Sequence, residues 1–153
     1  MSGQSLDIPA GTFDIQSDGS GGVIIDSGTT LTILAQSAYD AVKTAMSSSI
    51  NLPQVGDVYG VGLDLCFDQS GSSNPSFPTM TFHFKGADYN VPKENYLFPD
   101  TSRAVVCLAM LPTKSDLFDL SIIGNVQQQN SQILYDNEKT VLSFAPTACD
   151  TLK

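Results

Sequence analysis

Short apolar runs, most of them too brief for a helix, divide this sequence and constrain its fold. Residues 79–84 alternate strictly, so that Met80, Phe82 and Phe84 share one face of a predicted strand. Further strands are predicted at 23–25, 31–34, 104–110, 120–123, 131–135 and 141–145, the last two joined by a hairpin turn at 136–139. The pattern is typical of a mostly β protein.

One segment, 36–50, has helical periodicity instead. Its apolar positions return at close to a helical turn, which predicts one main helix. The face turned toward the core is predicted to consist of Tyr39, Val42, Met46 and Ile50.

Size and charge limit the possible partners. The 153 residues, 41% of them hydrophobic, suit one domain with a sizeable core. We expect no membrane partner, because no apolar stretch is long enough to span a bilayer. The first residues lack a charged and then apolar leader, which predicts no secretory signal. The net charge of −9, without a basic cluster, argues against nucleic acid.

Metal ligands and cofactor motifs are not evident in the sequence. The single histidine, His83, lies on the polar face of its predicted strand and is expected to be exposed. The three cysteines, Cys66, Cys107 and Cys149, have no zinc-type spacing, so we expect no metal and no cofactor. From the residues alone, a Cys66–Cys107 bridge and three reduced thiols are both possible.

The most reactive feature is an aspartate at the end of an apolar run. Residues 23–25 predict a buried strand that leads into Asp26, followed by Ser27, Gly28 and Thr29. A strand end holds a carboxylate rigidly, and the adjacent hydroxyl and backbone N–H groups can adjust its pKa by hydrogen bonding. This arrangement is typical of a catalytic aspartate, although an isolated Asp-Ser-Gly is usually a surface turn.

Two more segments accompany the aspartate in an order typical of one protein family. Ser-Ile-Ile-Gly-Asn-Val-Gln-Gln-Gln occupies 121–129, and Val-Leu-Ser-Phe-Ala-Pro-Thr-Ala-Cys occupies 141–149. Together with Gly-Gly-Val-Ile-Ile-Asp-Ser-Gly-Thr-Thr-Leu at 21–31, they resemble the pepsin-like aspartic proteases, most closely the plant nepenthesin-type branch. The resemblance extends from Leu6 to Cys149.

The resemblance implies one lobe of the pepsin-like acid protease β-barrel fold, with one main helix. Enzymes of this family have two lobes that each contribute an Asp-Thr/Ser-Gly loop to a shared cleft. Residues 1–153 resemble the C-terminal lobe, so we expect the N-terminal lobe to be absent from this chain. The implied parent enzyme is extracellular or vacuolar and acts on peptide or protein substrates.

Roles in the site follow from the resemblance, residue by residue. Asp26 resembles the second acid of the catalytic dyad, and Thr29 the hydroxyl that binds its outer oxygen. Supporting roles are implied for Ser27, which would link the loops of the two lobes, Ile122 and Ile123, which would back the loop, and Gly124, which would permit close packing. Substrate backbone would contact Gly28 and Thr30.

The resemblance also separates the cysteines. It implies a disulfide between Cys66 and Cys107, whereas Cys149 matches a cysteine that bonds to the other lobe and would be unpaired here. For Gln127–Gln129 we predict an exposed polar helical turn, with at least two of the three side chains in solvent.

Three functions are compatible with these patterns. The first is an acid endopeptidase, in which this chain supplies one catalytic aspartate and is inactive unless paired. The second is a non-catalytic pepsin-like protein that binds and inhibits glycoside hydrolases. The third is a pair of identical copies that each donate Asp26. Any isolated lobe is expected to expose the apolar surface that faces its partner.

Overall fold

Short strands dominate the fold in a computed structural model that describes residues 3–72, 74–114 and 119–151. The strands are β1 (Val23–Ile25), β2 (Thr32–Leu34), β3 (Gln54–Val55), β4 (Cys66–Asp68), β5 (Met80–Phe84), β6 (Ala87–Val91), β7 (Leu97–Asp100), β8 (Val105–Leu108), β9 (Met110–Pro112), β10 (Ser121–Ile123), β11 (Ser131–Asp136) and β12 (Val141–Pro146). The helices are α1 (Gln36–Ser49), α2 (Lys93–Tyr96) and α3 (Asn125–Gln128), with a 3₁₀ turn at Cys149–Thr151. The mostly β prediction with one main helix is confirmed.

The first sheet has the strand order β1-β10-β2-β9. Strand β10 runs parallel to β1 and antiparallel to β2, so it lies between two strands that are consecutive in the sequence. The segment that links β1 to β2 therefore has to pass around the end of β10. All three residues of β10 are buried.

Strand β1 differs from the sequence prediction, which placed it in the interior. Val23 is 40% exposed and Ile24 is 44% exposed. The reason is that β1 is an edge strand, hydrogen-bonded to β10 on one side only. Its apolar residues therefore form part of the surface.

The second sheet has the order β3-β4-β8-β7 and contains the disulfide bond. Cys66 on β4 is directly opposite Cys107 on β8, and both are fully buried. The disulfide implied by the family resemblance is therefore present. Strand β7 contains Pro99, which suits its position at the edge of the sheet, because proline donates no backbone hydrogen bond.

The core lies between α1 and the strands. Tyr39, Val42, Met46 and Ile50 are all buried, as the helical periodicity predicts. Hairpin β5–β6 covers another side of this core, with Phe82 and Phe84 half-buried against it. His83 is exposed and is hydrogen-bonded to Asp88 at 2.8 Å. Among the described residues, no helix has the length and apolar character to cross a membrane.

Candidate active site

Asp26 lies directly beyond the end of β1, and its backbone is fixed by β10. Residues Val23–Ile25 pair in register with Ser121–Ile123, and the Asp26 N–H continues this ladder by donating to the Ile123 carbonyl at 3.0 Å. Ile122 and Ile123 are buried behind the loop. The parallel pairing sets where the aspartate leaves the sheet.

Both oxygens of the Asp26 carboxylate are engaged by the loop that follows. The Thr29 hydroxyl donates to Oδ2 at 2.7 Å, and the Gly28 N–H donates to Oδ1 at 2.8 Å. These bonds favour the ionised form, and the Thr29 hydroxyl, followed by the Gly28 amide, lowers the pKa of Asp26 below its ordinary value of 3.8. The group is thus a carboxylate held in one orientation, with its ionised form stabilised.

Gly28 lies in the turn, close to the carboxylate of Asp26. A Cβ at position 28 would lie 3.2 Å from Asp26 Oδ1, tighter than ordinary van der Waals contact. Ser27, Gly28 and Thr30 are exposed, and within the described residues the Ser27 hydroxyl has no hydrogen-bond partner. These three residues are therefore accessible from solvent.

Gly124 and the first turn of α3 lie against the other side of the loop. A Cβ at position 124 would lie 2.5 Å from the carbonyl carbon and oxygen of Leu31, so only glycine fits without a backbone shift. The Asn125 N–H donates to the Thr29 carbonyl at 2.7 Å, and the Val126 N–H donates to the Thr30 carbonyl at 3.0 Å. The loop is thus held from behind by main-chain hydrogen bonds.

The structure brings together all the predicted site residues except the cysteines. Asp26 and its loop are adjacent to Ile122, Ile123 and Gly124. The Cys66–Cys107 bridge lies in the second sheet, and Cys149 is a free, exposed thiol in the C-terminal 3₁₀ turn. In the described ranges, no group of three or more His, Cys, Asp or Glu side chains is placed to hold a metal ion.

The prediction that at least two of the three side chains of Gln127–Gln129 lie in solvent was wrong, because only one of them is exposed. The side chain of Gln127 is fully buried, that of Gln128 is half-buried and donates to the Ile123 carbonyl at 2.9 Å, and only Gln129 is exposed. Three consecutive glutamines give no periodic signal that would separate a buried member from its neighbours. The helical turn itself was predicted correctly.

The Asp26 loop lies on an open surface. A depression of about 460 Å³ occurs elsewhere, against the first residues of α1, and is lined by Gly11, Thr12, Gln36, Asp40 and Asp119 among others. No residue of the Asp26 loop contributes to that lining.

Comparison with known proteins gives the family. The model of the family described as xylanase inhibitor C-terminal matches residues 1–146. Aspartic proteinase nepenthesin-2 of Nepenthes gracilis is 45% identical over 150 residues, which cover 97% of this chain and 33% of that protein. Aspartic proteinase nepenthesin-1 of the same plant is 44% identical over 146 residues, covering 94% and 32% respectively.

A solved structure agrees in fold. The crystal structure of edgp matches with a TM-score of 0.77 at 23% identity, and covers 93% of this chain and 36% of that chain. The chain spans about a third of the length of the curated relatives it matches. The chain belongs to the xylanase inhibitor C-terminal family, and it corresponds to the C-terminal lobe of the pepsin-like plant aspartic proteases.

Proposed function

We propose that this chain supplies one of the two catalytic carboxylates, Asp26, of an endopeptidase that works at acidic pH. One observation carries the proposal: the carboxylate of Asp26 is anchored through both oxygens, by Gly28 and Thr29. Asp57 and Asp100 are also hydrogen-bonded through both oxygens. The anchoring of Asp26 therefore supports the proposal together with its place directly beyond β1, where its N–H donates to the Ile123 carbonyl of β10.

The chemistry requires a second acid. Amide hydrolysis at acidic pH needs a water that is activated on one side and a leaving nitrogen that is protonated on the other. Two carboxylates about 3 Å apart share one proton, because like charges at that distance do not both ionise. The ionised acid takes a proton from water while the protonated acid polarises the carbonyl, and a proton is then returned to the departing amine.

Asp26 has the properties of one member of such a pair. Its hydrogen bonds favour the ionised form, and its loop is exposed on the side away from β10. In this proposal Thr29 orients the carboxylate, Gly28 and Thr30 bind the substrate backbone, and Ser27 links the two catalytic loops. Ile122, Ile123 and Gly124 support the loop from behind.

The partner in this scheme is an N-terminal lobe that contributes the other aspartate. Residues 1–153 then form the C-terminal lobe, a peptide or protein substrate lies between the two, and Cys149 bonds to the other lobe. We propose an extracellular or vacuolar site for the parent enzyme. The buried Cys66–Cys107 disulfide supports an oxidising compartment, because such bonds persist there.

Replacing Asp26 tests the assignment. The chain is paired with the N-terminal lobe of a nepenthesin-type protease, and cleavage of an unfolded protein is followed at roughly pH 3, between the pKa values of a typical dyad. We expect pepstatin-sensitive cleavage that Asp26→Ala abolishes, because one carboxyl cannot act as both acid and base.

Asp18→Ala is the matched control for this experiment. It removes another hydrogen-bonded, exposed carboxylate while leaving the site intact, so cleavage should persist. Cleavage retained in Asp26→Ala at the level of Asp18→Ala would rule out the proposed role.

A second candidate is a protein that binds a xylanase without hydrolysing peptides. The observation in its favour is the description of the matching family as xylanase inhibitor C-terminal. The anchored Asp26 carboxylate argues against it, since an inhibitor has no need of an oriented acid. Tight binding of a xylanase, equal in the native chain and in Asp26→Ala, would favour this function over proteolysis.

A pair of identical copies is the third candidate. Each copy would donate one Asp26 across a two-fold axis. In that case the chain alone would cleave protein at acidic pH, pepstatin would block it, and Asp26→Ala would abolish it. A chain that is inactive alone and active with an N-terminal lobe would exclude this arrangement.

A further inference from the structure

The side chain of Gln127 is buried at the centre of a hydrogen-bond network behind the Asp26 loop. Its Oε1 accepts from the N–H of Thr32 at 3.1 Å and from the Thr32 hydroxyl at 2.6 Å. Its Nε2 donates to the carbonyls of Asn95 at 2.7 Å and Ala109 at 3.0 Å. The side chain is 0% exposed, so water does not replace any of these partners.

The network uses the complete hydrogen-bonding capacity of a glutamine side chain. An amide has two acceptor positions on oxygen and two donor hydrogens on nitrogen, and each has a partner here. A carboxylate in the same place would set an acceptor against the Asn95 and Ala109 carbonyls. An apolar side chain would leave buried polar groups without partners.

Thr32 transmits the position of Gln127 to the catalytic loop. Its hydroxyl donates to Gln127 and accepts from the Gly124 N–H at 3.0 Å. Gly124 precedes α3, whose first two amides hold the carbonyls of Thr29 and Thr30. Thr29 in turn donates its hydroxyl to Asp26.

The backbone of α3 is fastened at the same point. The Gln127 carbonyl accepts from the Tyr89 hydroxyl and from Asn95 Nδ2 at 3.3 Å, and the Gln129 carbonyl accepts from Asn95 Nδ2 at 2.6 Å. A helix of four residues has little stability of its own, so its place depends on such external bonds.

We propose that Gln127 is a positioning residue that fixes the Asp26 loop, acting through Thr32 and the first turn of α3. That this geometry serves catalysis rests on the proposed function. The positioning of the loop by Gln127 depends only on the contacts above, and it can be tested on the 153-residue chain without any assay of proteolysis.

The first test replaces the amide with a carboxyl group of the same shape. In Gln127→Glu the new group, when protonated, keeps its acceptor and donates to one carbonyl. When ionised it faces the Asn95 and Ala109 carbonyls at close range. Among the described residues, Tyr89 is the one titratable side chain that hydrogen-bonds to Gln127, and it does so at the main-chain carbonyl. Gln129→Glu is the matched control, because it introduces the same charge at an exposed position two residues away.

The readout is amide hydrogen exchange at Gly124, Asn125 and Val126, with Leu108 of the second sheet as reference. At about pH 3 both variants should protect these amides alike. At about pH 7 we expect their protection in Gln127→Glu to fall tenfold to a hundredfold below Gln129→Glu, roughly the effect of unpaired buried polar groups, while Leu108 stays protected. Equal protection in the two variants, or an equal loss at Leu108, would overturn the proposal.

A second pair of variants decides the matter if Gln127→Glu does not fold. Thr32→Val removes the hydroxyl that joins Gln127 to Gly124, and Thr32→Ser restores it. The pKa of Asp26, followed by carbon NMR, should rise toward its ordinary value in Thr32→Val and return in Thr32→Ser. An unchanged pKa of Asp26 in Thr32→Val would overturn the proposal, whatever the outcome of the proteolysis experiments.

Discussion

At the scale of single residues, the site depends on the absence of a side chain at Gly124 as much as on Asp26 itself. Gly124 lets α3 approach the Leu31 carbonyl, and this approach allows Asn125 and Val126 to hold the loop. A larger residue at this position would collide with main-chain atoms of Leu31 and Thr30, which cannot move away as a flexible side chain can. The Asp26 loop and α3 therefore have to shift together if a side chain is added at position 124.

Gly124→Ala should therefore destabilise the chain and loosen the loop. The new Cβ would lie 2.5 Å from main-chain atoms of Leu31. Overpacking of this kind lowers the free energy of unfolding by about 1–3 kcal/mol. Urea unfolding measures the loss. Gly56→Ala is the control, because nothing lies within 4 Å of its Cβ position, and equal urea midpoints for the two variants would contradict the prediction.

At the residue scale, some contacts of the site were predictable from the sequence and others were not. The spatial proximity of Asp26, Thr29 and Gly124 was implied by the family resemblance of motifs that lie far apart in the chain. The burial of Gln127 was not predictable, because its partners include the main-chain carbonyls of Asn95 and Ala109. Every residue has a main-chain carbonyl, so the sequence gives no sign of which ones will bind a side chain. A polar residue whose partners are backbone atoms is indistinguishable from an exposed one until the fold is known.

At the scale of elements, the strands found from the sequence are those with strong apolar runs. Strands β3, β4, β6 and β7 were not predicted. The single strand predicted at 104–110 is divided between β8 of the second sheet and the first residue of β9 in the first sheet. Strand β6 alternates correctly, but Asp88 and Asn90 are poor strand residues, and β7 contains Pro99. These strands exist because neighbours such as β5 and β8 pair with them, which is a tertiary effect.

A charged clamp ties the edge strand β7 to the loop between β3 and β4. Asp100 accepts from the Ser102 hydroxyl at 2.6 Å, from the Tyr59 hydroxyl at 2.9 Å and from the Arg103 guanidinium at 3.1 Å. The Ser102 and Tyr59 hydroxyls hold the pKa of Asp100 at about 2, below the ordinary value of 3.8. The clamp thus stays ionised in an acidic medium where an ordinary carboxyl is largely protonated.

The clamp should stabilise the chain down to unusually low pH. A carboxyl whose pKa is depressed on folding contributes stability above its unfolded pKa, and loses it as pH falls through the folded value. Asp100→Asn should therefore lower the urea midpoint at about pH 6, and the gap to the native chain should narrow between about pH 4 and pH 2. Asp7→Asn, at an exposed position, should show no such gap. A gap for Asp100→Asn that is constant over this range would contradict the assignment of the shift to folding.

At the scale of the whole molecule, the chain leaves apolar side chains uncovered beside the site. Val23 and Ile24 on the edge strand are exposed, and Ile15, which is 78% exposed, bridges by its backbone to Gly21 just before that strand. Elsewhere on the surface, hairpin β11–β12 exposes Leu134, Tyr135 and Val141. In the proposed two-lobe enzyme a partner covers such surface, and in the chain alone it stays in contact with water.

The chain alone should consequently associate through its β1 edge. Sedimentation velocity over a wide concentration range should show concentration-dependent self-association, and a hydrophobic dye should bind, because exposed apolar surface is favourably removed from water. The double variant Ile15→Ser with Ile24→Ser should weaken both signals. Val61→Ser removes a comparably exposed side chain from the loop between β3 and β4 and should leave them unchanged. A native chain that stays monomeric and does not bind the dye at any concentration would contradict this prediction. The argument for a second lobe would then rest on the chemistry of Asp26 alone.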